Sequence, residues 1–328
     1  MTESTAENDL RDGFRGALLG TFVGDALGAP VEGLSPARLK REFGEIREML
    51  PGRRGRGTYT DDTQMMIALA EWLLEESEPT AESLARRILE SYDPSRGYGR
   101  GMTNLMRHLR AGEDWETAAE AVFPRGSFGN GAALRVAPCA ALLHEDAEAL
   151  DRLVEASAIA THPHPLGVAG AVLQARQIAL AFGSRGGSVD PIAFAVTLRS
   201  STVSLEFRQK VRAVEECLES GAGPDTVRGR LGCNSTALGS VGTALFCFLA
   251  HLESFEDAVV YAASLGGDTD SVAAMTGAIA GAWHGARAIP ERWRAALEDG
   301  PKGARYVESL ADRLLQRHSE LRRPRATV

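Results

Sequence analysis

Along most of the chain, apolar residues return every three to four positions rather than every second one. That period marks amphipathic helices. In the first half it picks out Phe14 to Gly28, Met65 to Glu76, Thr80 to Tyr92, Met102 to Ala111, Trp115 to Val122 and Ala132 to Leu143. In the second half it picks out Leu150 to Ala160, Leu166 to Phe182, Ser188 to Leu198, Leu205 to Ser220, Asp225 to Leu231 and Leu238 to Leu252. Ser254 to Leu265, Val272 to about Ala286, Pro290 to Leu297 and Ala304 to Arg317 complete the series. Pro138 is expected to kink or divide its helix, and Pro165 suits the first turn of the next. No run alternates as a strand would, and no polar linker divides the chain. The pattern predicts one all-α domain over residues 1–320, with 321–328 as a disordered tail.

Two features disturb this regular pattern. Gly16, Gly20, Gly24 and Gly28 fall four apart, on one side of the first helix. Glycine costs a helix roughly 1 kcal/mol against alanine, so four in line predict close approach of another backbone, or tight helix packing alone. Asp25 lies within the same run, and Pro30 ends it ahead of the loop acid Glu32. The second feature is a pair of acid–hydroxyl clusters at predicted helix starts. Thr60, Asp61 and Asp62 form one, and Asp61 followed by Gln64 resembles a capping box. Asp268, Asp270 and Ser271 form the other, after Gly266-Gly267 and before a helix rich in Ala and Gly. Buried acids require compensation, and no Lys or Arg lies nearby in sequence at the second cluster. If both clusters face one cavity, they give an all-oxygen set suited to Mg²⁺ or Mn²⁺ rather than Zn²⁺ or copper. Two divalent ions would balance four carboxylates, and such a centre serves a metal-dependent hydrolase or transferase.

Glycine-rich loops lie between the clusters. Gly97 and Gly99 flank Tyr98, and Ser127-Phe128-Gly129-Asn130-Gly131 precedes a helix. Exposed backbone N–H groups in such loops cradle phosphates, and Phe128 is placed to stack on a base. Glycines also simply make turns, and the Arg/Gly run 52–57 reads as solvated surface. His162 and His164 have no third soft ligand nearby, so they read as helix caps or ligand contacts. The net charge of -8 argues against a nucleic-acid partner. Cys139, Cys217, Cys233 and Cys247 form no CxxC pair and read as reduced thiols. The acidic N-terminus is no signal peptide, and no apolar run is read as reaching membrane-spanning length. A cytoplasmic protein without a membrane partner is expected.

At this point the motifs resemble the ADP-ribosylglycohydrolases, the family of the dinitrogenase reductase-activating glycohydrolase and the ADP-ribosyl-acceptor hydrolases. The matching pieces are Gly24-Asp25-Ala26-Leu27-Gly28-Ala29-Pro30-Val31-Glu32, Tyr59-Thr60-Asp61-Asp62-Thr63, Gly129-Asn130-Gly131 with Arg135-Val136-Ala137-Pro138, Thr161-His162, and Gly266-Gly267-Asp268-Thr269-Asp270. The resemblance implies a compact orthogonal helical fold, two Mg²⁺, and ADP-ribosylated proteins or ADP-ribose derivatives as partners. It implies that Thr60, Asp61, Asp62, Asp268, Asp270 and Ser271 hold metal, with Ser271 standing where the family usually has Thr. Glu32 then matches the glutamate beside the scissile bond, as acid or base. Gly97, Gly99, Ser127, Gly129, Asn130 and His162 match diphosphate and ribose contacts. Phe128 matches an adenine-stacking aromatic, with Phe123 as its partner. Asp25 has two readings, near the metals or capping a backbone break. The loops are most similar to the branch that cleaves ADP-ribosylserine, O-acetyl-ADP-ribose and poly(ADP-ribose). Cleavage of ADP-ribosylarginine, or a silent ADP-ribose-binding or structural protein, are the alternatives.

Overall fold

The computed structural model describes residues 5–322. Within them the chain forms seventeen α-helices, five short 3-10 turns and one two-residue hairpin, Pro51–Gly52 against Gly55–Arg56. The fold is all-α, as expected. Several boundaries differ from the sequence pattern. The first helix runs Thr5–Gly28, starting well before Phe14. A helix Pro36–Glu42 follows the Glu32 loop, capped by Ser35, whose Oγ accepts from Arg38 N. Pro138 does not kink a long helix. It sits in the first turn of Ala137–Leu143, behind a 3-10 turn at Asn130–Ala132, because proline fits where no N–H is required. Leu321 closes the last helix, Ala304–Leu321; residues 323–328 of the expected tail lie outside the described residues.

One helix, Pro165–Gly183, is long and apolar enough to cross a membrane, contrary to the sequence expectation. It is instead a core helix. It packs among the helices Ala137–Leu143, Ala147–Ile159 and Thr269–His284, and Gly170, Ala171, Leu173, Ala175 and Ile178 are buried.

The central packing event joins the first helix to Thr269–His284. A Cβ built at Gly16, Gly20, Gly24 or Gly28 would lie 2.2, 2.0, 2.0 or 2.5 Å from the backbone oxygen of Gly281, Gly277, Ala273 or Thr269. The contact is reciprocal. At Gly277 and Gly281 the added carbon would lie 2.1 and 1.9 Å from the oxygens of Gly20 and Gly16. The two helices are therefore antiparallel in strict four-residue register, backbone against backbone. Thr269 Oγ1 donates to the Gly28 carbonyl at 3.0 Å and fixes the end of the seam. This seam brings the Asp25 end of one helix to the Asp268–Ser271 start of the other.

Candidate active site

The first acidic corner opens the helix Asp61–Glu75. Thr60 is the N-cap, its Oγ1 accepting from Asp62 N at 3.3 Å. The Asp61–Gln64 capping box does not form, because Gln64 Oε1 is taken by Asp93 N at 3.0 Å. A remote residue supplies the missing acceptor. Fully buried Asp25 accepts from Thr60 N and Thr63 N, both at 3.0 Å, and from Thr63 Oγ1 at 2.5 Å. Capping is thus observed, and, after burial, the charge of Asp25 also helps to raise Asp61, Asp62 and Asp270. Asp25 satisfies the orphan N–H groups of this helix start, which leaves Asp61 and Asp62 turned toward the cleft.

The second corner is built on a glycine turn. Gly266 and Gly267 have φ of 78° and 84°, a region few other residues enter without strain. A Cβ at Gly267 would also lie 2.2 Å from the Cys233 oxygen. Gly33 N donates to Gly267 O at 2.8 Å, and Gly267 N donates to Leu34 O at 3.0 Å. These two bonds lock the Glu32 loop onto the turn that carries Asp268. Carboxylate oxygens of Glu32, Asp268 and Asp270 lie within 4.8 Å of one another. Asn130 Nδ2 donates to Asp268 Oδ2 at 2.7 Å. Ser271 Oγ donates to Asp62 Oδ2 at 2.8 Å and so links the corners directly.

Burial raises the carboxyls of this cluster above their ordinary range. Asp61 rises to about 7, and Asp25 and Asp268 to about 6. Asp62 and Asp270 are also pushed well up, by burial and then by neighbouring carboxylates, chiefly Asp270 on Asp62 and Asp268 on Asp270. Among the described residues no Lys or Arg is within ion-pair distance of Glu32, Asp61, Asp62, Asp268 or Asp270. Like charges crowded in a poorly solvated place call for a cation. The donors are all oxygen, the set that hard divalent ions prefer, so the residues fit a metal centre.

These groups floor a cleft of about 360 Å³, within the range of small-molecule sites. Glu32, Thr60, Asp61, Asp62, Asp268, Asp270 and Ser271 line it, with Gly97, Gly99, Ser127, Gly129, Asn130 and His162. Asn130 N bonds to Ser235 O at 2.9 Å, and Phe128 O accepts from Ala237 N at 3.0 Å, pinning the loop to the 235–237 segment. Phe128 itself does not line the cleft. It is half exposed, and its ring meets His164 edge-on at 5.4 Å. Phe123 does line it, against Gly101, where a Cβ would lie 2.4 Å from the ring. His164 caps the helix Pro165–Gly183 through Nδ1. Sequence reasoning missed Arg53 and Arg100, exposed cations of the lining with no ion pair among the described residues. Arg53 sits in the run read as solvated surface; a pair of arginines beside glycines just ahead of an acidic helix start was the available signal. Arg96 is spoken for: it lies over the Tyr59 ring at 3.5 Å and bonds Glu298 and Tyr59 O.

On an all-α frame, a buried nest of carboxylates that could hold a metal ion lies under a cleft with cationic edges. A sequence profile of the ADP-ribosylglycohydrolase family matches residues 6–324. The ADP-ribosylhydrolase ARH3 of Gallus gallus is 32% identical over 341 aligned residues, spanning 90% of this chain and 92% of that protein. The ADP-ribosylhydrolase ARH3 of Homo sapiens is 31% identical, spanning 87% and 89%. A solved structure described as an ADP-ribosylglycohydrolase-related protein complex is similar with a TM-score of 0.72 at 30% identity, covering 95% of this chain and 99% of that one. The chain belongs to the ADP-ribosylglycohydrolase family and is an ADP-ribosyl glycohydrolase.

Proposed function

We propose that this enzyme is Mg²⁺-dependent and releases ADP-ribose from O-linked attachments: ADP-ribosylserine, O-acetyl-ADP-ribose and poly(ADP-ribose). The observation that carries the reading is the meeting of two remote acidic corners through the 2.8 Å bond from Ser271 Oγ to Asp62, with Glu32, Asp268 and Asp270 within 4.8 Å of one another. The likeness of the Gly97–Gly99 and Ser127–Gly131 loops to the serine-type branch supports the linkage. Four free cysteines are in keeping with a reducing cytoplasm.

Two Mg²⁺ held by Thr60, Asp61, Asp62, Asp268, Asp270 and Ser271 would neutralise the carboxylates and orient ribose hydroxyls by Lewis-acid contact. The chain's own groups supply the rest. Arg53 and Arg100 offer positive charge to a diphosphate. Gly129 N and Asn130 N are taken by Ser127 Oγ and Ser235 O, so the remaining N–H groups of the 127–131 loop offer donors, and Phe123 offers an apolar face. Hydrolysis breaks the C1″–O bond; water contributes hydroxide to C1″ and a proton to the leaving oxygen. Glu32, exposed at the edge of the cluster, is the group that carries this proton. Orientation of the sugar over Glu32 supplies much of the rate.

Incubation with serine-linked and arginine-linked ADP-ribosyl peptides tests this directly. Release from the serine peptide, lost in EDTA and restored by Mg²⁺, is the expected result. Release from the arginine peptide alone overturns the linkage. Binding of ADP-ribose with turnover of neither peptide favours the silent binding protein.

A further inference from the structure

Arg135 is fully buried, yet it has no carboxylate partner among the described residues. Burial lowers even this guanidinium, to about 10. A buried cation without a counter-charge is costly, and its hydrogen bonds show what it holds. Nη2 donates to Ser157 O at 2.6 Å, and Nη1 donates to Thr161 Oγ1 at 3.0 Å. Thr161 Oγ1 lies 2.7 Å from His162 Nδ1. All three side chains are buried, and the imidazole lines the cleft.

The donor inventory leaves one consistent assignment. A guanidinium only donates, so Thr161 Oγ1 must accept from Arg135. The hydroxyl has one proton, and among the described residues its other partner is His162 Nδ1. Were Nδ1 protonated, the threonine proton would be left buried without an acceptor, a penalised state. The hydroxyl therefore donates to Nδ1, and the ring proton of the neutral imidazole sits on Nε2. That nitrogen faces the phosphate-type loop: a Cβ at Gly129 or Gly131 would lie 3.3 or 3.0 Å from it. Burial, and then the charge of Arg135, also holds His162 down to about 3, so it stays uncharged across the working range.

We propose that Arg135 and Thr161 are positioning residues that lock His162 as the Nε2–H tautomer, a fixed neutral donor to a ligand oxygen. Naming that oxygen as one of ADP-ribose rests on the function proposed above; the tautomer does not.

Long-range ¹H–¹⁵N correlation on protein carrying ¹⁵N-histidine reads the tautomer directly, with His162→Gln assigning the signals. An unprotonated Nδ1 and protonated Nε2 in the unaltered protein are expected. A protonated Nδ1 overturns the proposal, and needs no variant to be seen. Thr161→Val should lose the single-tautomer pattern and weaken ADP-ribose binding about tenfold, the scale of one lost hydrogen bond. Thr161→Ser should restore both. An unchanged His162 spectrum in Thr161→Val counts against the relay. If the unaltered protein fails to bind ADP-ribose while its spectrum is as expected, the function reading falls and the relay stands.

Discussion

Replacing Gly24 with alanine places one methyl in the seam that carries the site. The new carbon would lie 2.0 Å from Ala273 O and 2.3 Å from Ala273 C. Ordinary contact begins near 3.4 Å, so the helices must part locally by about 1.4 Å. Both sides of this contact are backbone, which cannot swing aside. Overpacking typically costs about 1–3 kcal/mol, and the rigid partner places Gly24→Ala at the upper end. Alanine's better helix propensity returns about 1 kcal/mol, leaving a net loss of about 2 kcal/mol. For 328 residues the unfolding entropy is roughly 0.7 kcal/mol per degree, so Tm should fall by about 3 °C. Gly229→Ala is the matched control. It lies within the helix Pro224–Leu231 with nothing within 4 Å of the added carbon, and should stabilise by up to about 1 kcal/mol. Thermal scans followed by circular dichroism in EDTA give both values. Because Gly24 adjoins Asp25 and Ala273 lies one turn beyond Asp270, Gly24→Ala should also weaken Mg²⁺ binding. Equal or higher Tm for Gly24→Ala than for Gly229→Ala would refute the seam argument.

Further outcomes follow from the site. Glu32→Gln should keep ADP-ribose affinity and lose most turnover; a variant near full speed removes Glu32 from the chemistry. Asn130→Ala should lower Mg²⁺ affinity by about 10–100-fold, read by calorimetry, because Asp268 loses its 2.7 Å donor. The raised carboxyls set a pH dependence for the metal-free protein. Asp61 near 7 and Asp25 and Asp268 near 6 keep protons in the fold that the unfolded chain, near 4, has released. The folded state thus binds more protons between about pH 4 and 7, and this contribution to stability falls as pH rises through that window. Lowered buried histidines such as His162 act in the opposite sense, so the comparison is with Asp61→Asn, which should lose less Tm than the parent between pH 5 and pH 8 in EDTA. Stabilisation by Mg²⁺ should be larger at pH 8, since metal binds the ionised carboxylates; a larger effect at pH 5 would contradict this account.

The chemistry of the site was more legible than its geometry. Asp61, Asp62, Asp268 and Asp270 could be paired from sequence because buried acids without cations need one another and a metal, and the structure links them through Ser271 and Asp62. The line of four glycines announced a close backbone, but its partner was not named, although Gly277 and Gly281 carry the same spacing. The capping of Asp61–Glu75 was misread because its acceptor, Asp25, comes from a helix far away in sequence. From its loop, Phe128 reads as a ring for stacking on a base; its ring is half exposed and meets His164 rather than lining the cleft. Local rules do not encode which side of a loop faces a cleft.

The pairing of Gly16–Gly28 with Thr269–Gly281 has a consequence for biosynthesis. During synthesis the first half of this zipper must wait for the second, since Gly28 and Thr269, which close the seam, are 241 residues apart. Until then the carboxylate-lined cleft has only one wall, so activity is expected to appear only after residue 271 has been made. A fragment stopped before residue 269 should therefore lack hydrolase activity, however well its earlier helices fold.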